Sequence, residues 1–191
     1  MKKNNILIVC IIGVFILILC LITILGNNKV NSQIETVDDV KSMFNKIYKN
    51  LDLPELETNE INIDDTDSIK AYTGLSSNEN IEKIIVSEPL MNAQAYSSVV
   101  LIVKEGSDIE QMKQEILENI NMRKWICVSA SDLYITNNGN VIFFVMSDKE
   151  RAKAVYNGFK DYVNNSIGKE LYRENNEDDI ELPEETPKIV E

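Results

Sequence analysis

Residues 6–25 form an unbroken apolar stretch without a single charge, broken only by Gly13, Thr23, Cys10 and Cys20. No other feature restricts the fold of this chain so strongly. At about 1.5 Å of rise per residue, twenty residues make a helix of roughly 30 Å, the thickness of a bilayer's hydrocarbon core. A core helix of a globular domain would keep a polar face, and this stretch has none. It is therefore expected to be a transmembrane helix, with the lipid bilayer as its partner along residues 6–25.

The flanks set the orientation. Lys2 and Lys3 precede the stretch, whereas Lys29 is followed by Glu35, Asp38 and Asp39. Basic residues stay on the cytoplasmic side, so everything after the helix is expected outside. The apolar run exceeds the roughly 7–15 residues of a signal-peptide core. With a cut after Gly26, the position three before the cut is Ile24, not a small residue, and none stands just before Cys20. The segment reads as an uncleaved single-pass anchor in the plasma membrane, with a cleaved or lipoprotein-like form as the alternative.

Charge and cysteines narrow the chemistry of the exported part. The chain carries −12, and setting aside Lys2 and Lys3 leaves −14 outside. Such a field repels nucleic acid and anionic lipid, so neither is expected as a partner of the domain. Only Cys127 lies outside the apolar stretch, so no disulfide is expected within the domain and a packed core must hold it together. Cys127, between Ile126 and Val128, reads as a buried structural thiol on a strand, with a reactive thiol as the sharper alternative.

Four parts follow: an anchor over 1–26, a juxtamembrane linker over 27–34, a domain over 35–173, and an acidic tail over 174–191. Thr36 with Asp39 opens a helix as a capping box, and Val37, Val40, Phe44, Ile47, Tyr48 and Leu51 give it one apolar face until Pro54. Residues 64–74 predict a short helix closed by Gly74. Residues 81–87 and 95–104 are β-branched strands joined by the turn-prone 88–92. Ser107 and Glu110 are the expected caps of a helix faced by Ile109, Met112, Ile116, Leu117 and Ile120. Extended chain is expected from Trp125 to Val128 and through 133–135. The run 137–140, Asn-Asn-Gly-Asn, is the strongest turn signal, and residues 141–146 form a wholly apolar strand. Ser147 with Glu150 is expected to cap a last helix. The fold class is thus α+β, in the order ααββαββα, with a mostly antiparallel four-stranded sheet and helices on one face. The tail holds eight acids against Lys188, with Pro183 and Pro187, and is expected to stay disordered.

Catalytic chemistry has little to stand on. The absence of histidine removes Ser-His-Asp and Cys-His mechanisms and the imidazole ligands of zinc. Asp64, Asp65 and Asp67 lack the oxygen ladder of a calcium loop and read as helix-capping acids. No glycine-rich phosphate loop is present, and neither a metal nor a cofactor is expected. Two constellations remain. Arg123, Lys124 and Trp125 place two cations and the single tryptophan where a helix feeds the sheet. They read first as a plug and a helix-end charge pair, and alternatively as a rim for an anionic or sugar ligand. Asp132, Tyr134, Asn137 and Asn140 gather in sequence about the hairpin, where turn formation is the plainer account of the asparagines.

The stretch 123–147, from Arg-Lys-Trp-Ile-Cys-Val to Val-Ile-Phe-Phe-Val-Met-Ser, resembles the bacterial family known as domain of unknown function 4358. Residues 89–105, Pro-Leu-Met-Asn-Ala-Gln-Ala-Tyr-Ser-Ser-Val-Val-Leu-Ile-Val-Lys-Glu, are similar to it as well. With the Ile109 helix and the last helix the likeness spans about 36–165. The resemblance implies an exported, membrane-tethered domain of Gram-positive, clostridial-type bacteria, associated with cell-surface O-acyl-transfer systems; it carries over no functional residues. The sequence therefore points to a non-enzymatic interaction domain of the cell envelope, partnered by another envelope protein. A carboxylate-based enzyme or accessory subunit acting on wall polysaccharide is the runner-up.

Overall fold

The computed structural model describes residues 34–91 and 93–175. In chain order they form α1 (Val37–Tyr48), β1 (Leu56–Ile61), α2 (Thr66–Thr73), β2 (Ile81–Pro89), β3 (Ser97–Val103), α3 (Ile109–Asn119), β4 (Asp132–Asn138), β5 (Val141–Ser147), α4 (Lys149–Tyr162) and β6 (Leu171–Glu174). The fold is α+β, and its strands make one sheet of order β1-β2-β3-β5-β4-β6 with every neighbouring pair antiparallel. Among the described residues no helix is long and apolar enough to cross a membrane. The expected anchor over 6–25 lies outside them, as does the tail beyond residue 175.

The sheet has six strands, not the expected four. The two additional ones are its edges, and edge strands stay polar because one side meets water. β1 reads Leu-Glu-Thr-Asn-Glu-Ile and β6 only Leu-Tyr-Arg-Glu, so neither shows an apolar run. β6 crosses the end expected for the domain and is held there by Arg173. Its guanidinium donates to the carbonyls of Leu117, Glu118 and Ile120, closing the C-terminus of α3. Asn175 continues the pairing, its N–H donating to Ser131 O at 2.8 Å.

Helices cover both faces of the sheet, not one. Every residue of β3 and β5 is buried, which only a two-sided cover allows. Val99, Leu101, Ile142 and Phe144 pack with Ile69 of α2 and Met112 and Ile116 of α3. Val100, Ile102, Phe143 and Val145 pack with Phe44 of α1 and Val155 and Phe159 of α4. Each such side chain, fully buried, contributes about 1.5–3 kcal/mol, so β3 and β5 form the stable centre.

Local signals behave unevenly. The Thr36–Asp39 capping box forms as expected. Asp65 caps α2 and Gly74 closes it at φ +75°. The other two caps fall one residue later than expected, on Asp108 and Asp148. Ser107 instead donates to Lys104 O and Ser147 to Ala95 O, so both hydroxyls serve the preceding chain. The 137–140 hairpin forms, with Gly139 at φ +57° between β4 and β5. Residues 125–128 form no strand. They belong to an irregular loop in which Cys127 stands at φ +61° and is exposed, contrary to the expected buried thiol.

Helix direction fixes the two ends of the domain. α4 leaves β5 at Ser147 and runs back toward the hairpin, and α1 lies antiparallel to it. Arg151 near the start of α4 donates to Asp52 O just beyond α1, while Gly158, about two turns further along α4, lies against Ile47 in the last turn of α1. The chain therefore enters this domain at the hairpin end. The opposite end, about 20 Å away along the strands, carries residues 88–97 and the 121–131 loop.

Candidate functional site

α2 has only eight residues, about 12 Å of helix, whereas β2 beneath it spans nine residues and about 30 Å. The helix therefore leaves the far end of β1 and β2 uncovered. Tyr72, in its last turn, stands at the border between two clefts that share it and Glu88. One, of about 230 Å³, is lined by Glu57, Asn59, Ile61 and Leu90. The other, of about 280 Å³, is lined by Ala71, Asn121, Lys124 and Trp125.

Lys124 sits where the clefts meet. Its ammonium pairs with the Glu88 carboxylate and lies 4.7 Å from the Tyr72 ring centre and 5.4 Å from that of Trp125. Ring quadrupoles and a carboxylate together suit a cation that is partly withdrawn from water. Burial pulls the Lys124 pKa below the ordinary lysine value, and Glu88 opposes that shift. Tyr72 is shifted upward, by burial first and then by the Glu88 charge. Trp125 is buried against Met122 and Ala130 and fills the core here, as the plug reading expects. Lys124 thereby ties the 121–131 loop to β2.

Just beyond this tie the two loops turn apolar. Leu90 and Met91 are 60% and 70% exposed on one loop, and Ile126 and Val128 are 70% and 38% exposed on the other. Among the described residues only Tyr172 joins them as an exposed large apolar side chain. Comparison with protein-family models, curated proteins and solved structures finds no match. The site must therefore be read from its own chemistry.

The remaining sequence candidates lie elsewhere. Arg123 donates to Asn175 Oδ1 at 3.2 Å, at the foot of the loop. Asn137 and Asn140 stand at the opposite end of the sheet from Lys124. Asn137 accepts from Lys113 Nζ at 2.7 Å, and Asn140 donates to Val103 O at 3.1 Å. Asp132 is buried on the α1–α4 face, where it accepts from Tyr172 Oη at 2.7 Å and Ser131 Oγ at 2.6 Å. Tyr134, on the same face, lies against the rings of Tyr156 and Tyr172. The fold thus brings Lys124 and Trp125 together with Tyr72 and Glu88, which the sequence reading missed, and separates them from the hairpin. Among the described residues no group of three or more acids or cysteines could hold a metal ion. A further opening of about 370 Å³ lies under the α1–β1 connection, where Arg151 is already bound to Asp148 and Asp52.

Proposed function

We propose that this chain is a membrane-anchored, extracytoplasmic interaction domain of the bacterial cell envelope, without catalytic activity of its own. Its partner is another envelope protein, met by the end of the sheet that carries Lys124, Leu90, Met91 and Ile126. One observation carries this reading: among the described residues, four of the five exposed large apolar side chains occupy two loops tied together by the Lys124–Glu88 pair. Exposed apolar groups gathered in this way, with polar and charged neighbours, mark contact surfaces. The uncharged apolar stretch over 6–25 supports the location, and the exported charge of −14 argues against nucleic acid.

Met91→Ser with Ile126→Ser tests the reading in full-length protein purified from membranes. Both residues are exposed, so the melting temperature should hold within about 2 °C. Recovery of the co-purifying envelope protein should fall by about tenfold or more, as expected when central apolar contacts are lost. Unchanged recovery of every co-purifying protein refutes the surface.

A second reading draws on Glu57 and Glu88, which face each other across β1 and β2 and line the same cleft. Paired carboxylates are what hydrolysis or O-acyl transfer on wall polysaccharide would use without histidine. Glu57→Gln in the same preparation separates the two. Loss of a polysaccharide-modifying activity, with partner recovery intact, favours the enzyme or accessory subunit.

A further inference from the structure

The sheet ends on one side at β1, and among the described residues no strand pairs with the outer edge of β1. Leu90 N donates to Glu55 O, and in an antiparallel ladder such hydrogen-bonded pairs recur at every second residue. By the register of β1 on β2, the pairs Glu57–Glu88, Asn59–Val86 and Ile61–Ile84 therefore exchange the ladder bonds. The main-chain N–H and C=O groups of Leu56, Thr58 and Glu60 turn the other way, outward from the sheet. Pro89 fits this phase, because it stands opposite Leu56, where β2 donates nothing to β1.

A row of outward donors and acceptors is a template for one more strand. The side chains along it set the chemistry of that strand. Alternation puts Glu57, Asn59 and Ile61 on the α2 face, along the cleft of about 230 Å³ that the short helix leaves open. Glu60 lies on the other face, 4.0 Å from Lys83 with both side chains partly exposed. Glu88 is already taken by Lys124, whereas Glu57 has no ion pair among the described residues. β1 thus carries two acids and no cation of its own. A second copy of this edge would add acids without adding a cation. A strand with lysine or arginine opposite Glu57 and Glu60 would gain at both positions.

We propose that the outer edge of β1 takes an extended, basic segment of another polypeptide. The segment pairs antiparallel with Leu56–Ile61, as every other neighbour in the sheet does, and sets cationic side chains opposite Glu57 and Glu60. The same acids keep two copies of this edge apart. The inference goes beyond the apolar loops: its test needs neither Met91 nor Ile126 and no envelope protein, so the two stand or fall separately.

The probes are the peptide Val-Lys-Thr-Thr-Lys-Val and its counterpart Val-Glu-Thr-Thr-Glu-Val, each carrying a neutral fluorophore. Binding to the full-length protein in detergent is read by fluorescence anisotropy. Opposite charges across a ladder attract and like charges repel, so the lysine peptide should bind about tenfold more tightly than the glutamate peptide. Glu57→Lys should weaken the lysine peptide about threefold and strengthen the glutamate peptide, while Glu105→Lys, with the same change of net charge, should alter neither. Thr58→Pro removes the central outward donor and no ladder bond, so the fold should survive while binding of the lysine peptide falls by about tenfold. Absence of saturable binding, equal affinities for the two peptides, or equal effects of Glu57→Lys and Glu105→Lys overturn the proposal. Undiminished binding to a folded Thr58→Pro protein overturns it as well, since charge alone would then hold the peptide. A wild-type dimer that Thr58→Pro dissolves also overturns it, because a second copy then takes the edge.

Discussion

Lys113→Ala lowers the unfolding free energy of the domain by about 3–5 kcal/mol, the range for breaking a buried charged network. Lys113 lies on α3 with its side chain wholly buried. Its ammonium donates to Asn137 Oδ1 at 2.7 Å, to Lys169 O at 2.8 Å, and to Glu110 at 2.6 Å. Three protons thus meet three acceptors, which satisfies the group completely. Alanine leaves the Asn137 and Lys169 oxygens without this donor and opens a cavity along the lost stem. Lys113→Met restores the stem without the donors, so the difference between the variants isolates packing from hydrogen bonding. Urea midpoints of the two proteins check this. A loss below about 1 kcal/mol for alanine means that the 164–170 connection does not depend on the lysine.

Gly74→Ala has the second large effect, about 3 kcal/mol or more, because two penalties coincide. The residue holds φ +75° as the cap of α2, its N–H donating to Lys70 O at 2.9 Å. A Cβ there would stand 2.6 Å from Ile120 N and 2.8 Å from Asn119 C, both backbone atoms that cannot swing aside. Asparagine tolerates positive φ but carries the same Cβ. Gly74→Asn should therefore rescue little, and substantial rescue would show that dihedral strain alone sets the cost. The pushed segment, 119–122, leads directly into Lys124, so surviving protein should also show an altered Trp125 emission spectrum.

These two positions show what the sequence could and could not convey. Gly74 is legible: a glycine after an amphipathic turn closes a helix for a local reason. Lys113 is not, since its spacing from Ile109 and Leu117 puts it on the apolar face while its charge argues for solvent. Only the return of residues 168–169 supplies its partners. The strands divide in the same way. The wholly apolar 141–146 announces burial on both faces, yet helix order alone suggested one covered face. β1 and β6 escaped notice because an edge strand needs no apolar run. Ser107 and Ser147 each precede an aspartate that caps equally well, and the strand's hold on Ser147 decides in favour of Asp148. At the site, the sequence exposes Lys124 and Trp125 as neighbours. Tyr72 and Glu88 join them only through packing, and Leu90 and Met91 are brought into solvent by the turn after β2.

On the proposed function, the loop end of the domain, not the hairpin end, meets a partner in the envelope. A photo-crosslinking amino acid placed at Ile126 in intact cells tests it most directly, with Glu105 as the reference. Glu105 is exposed and lies beside the hairpin, where Val103 N donates to Asn140 O at 3.0 Å. A discrete intermolecular adduct is expected from position 126 and none from position 105. Adducts from position 105 alone, or equal adducts from both, would contradict it.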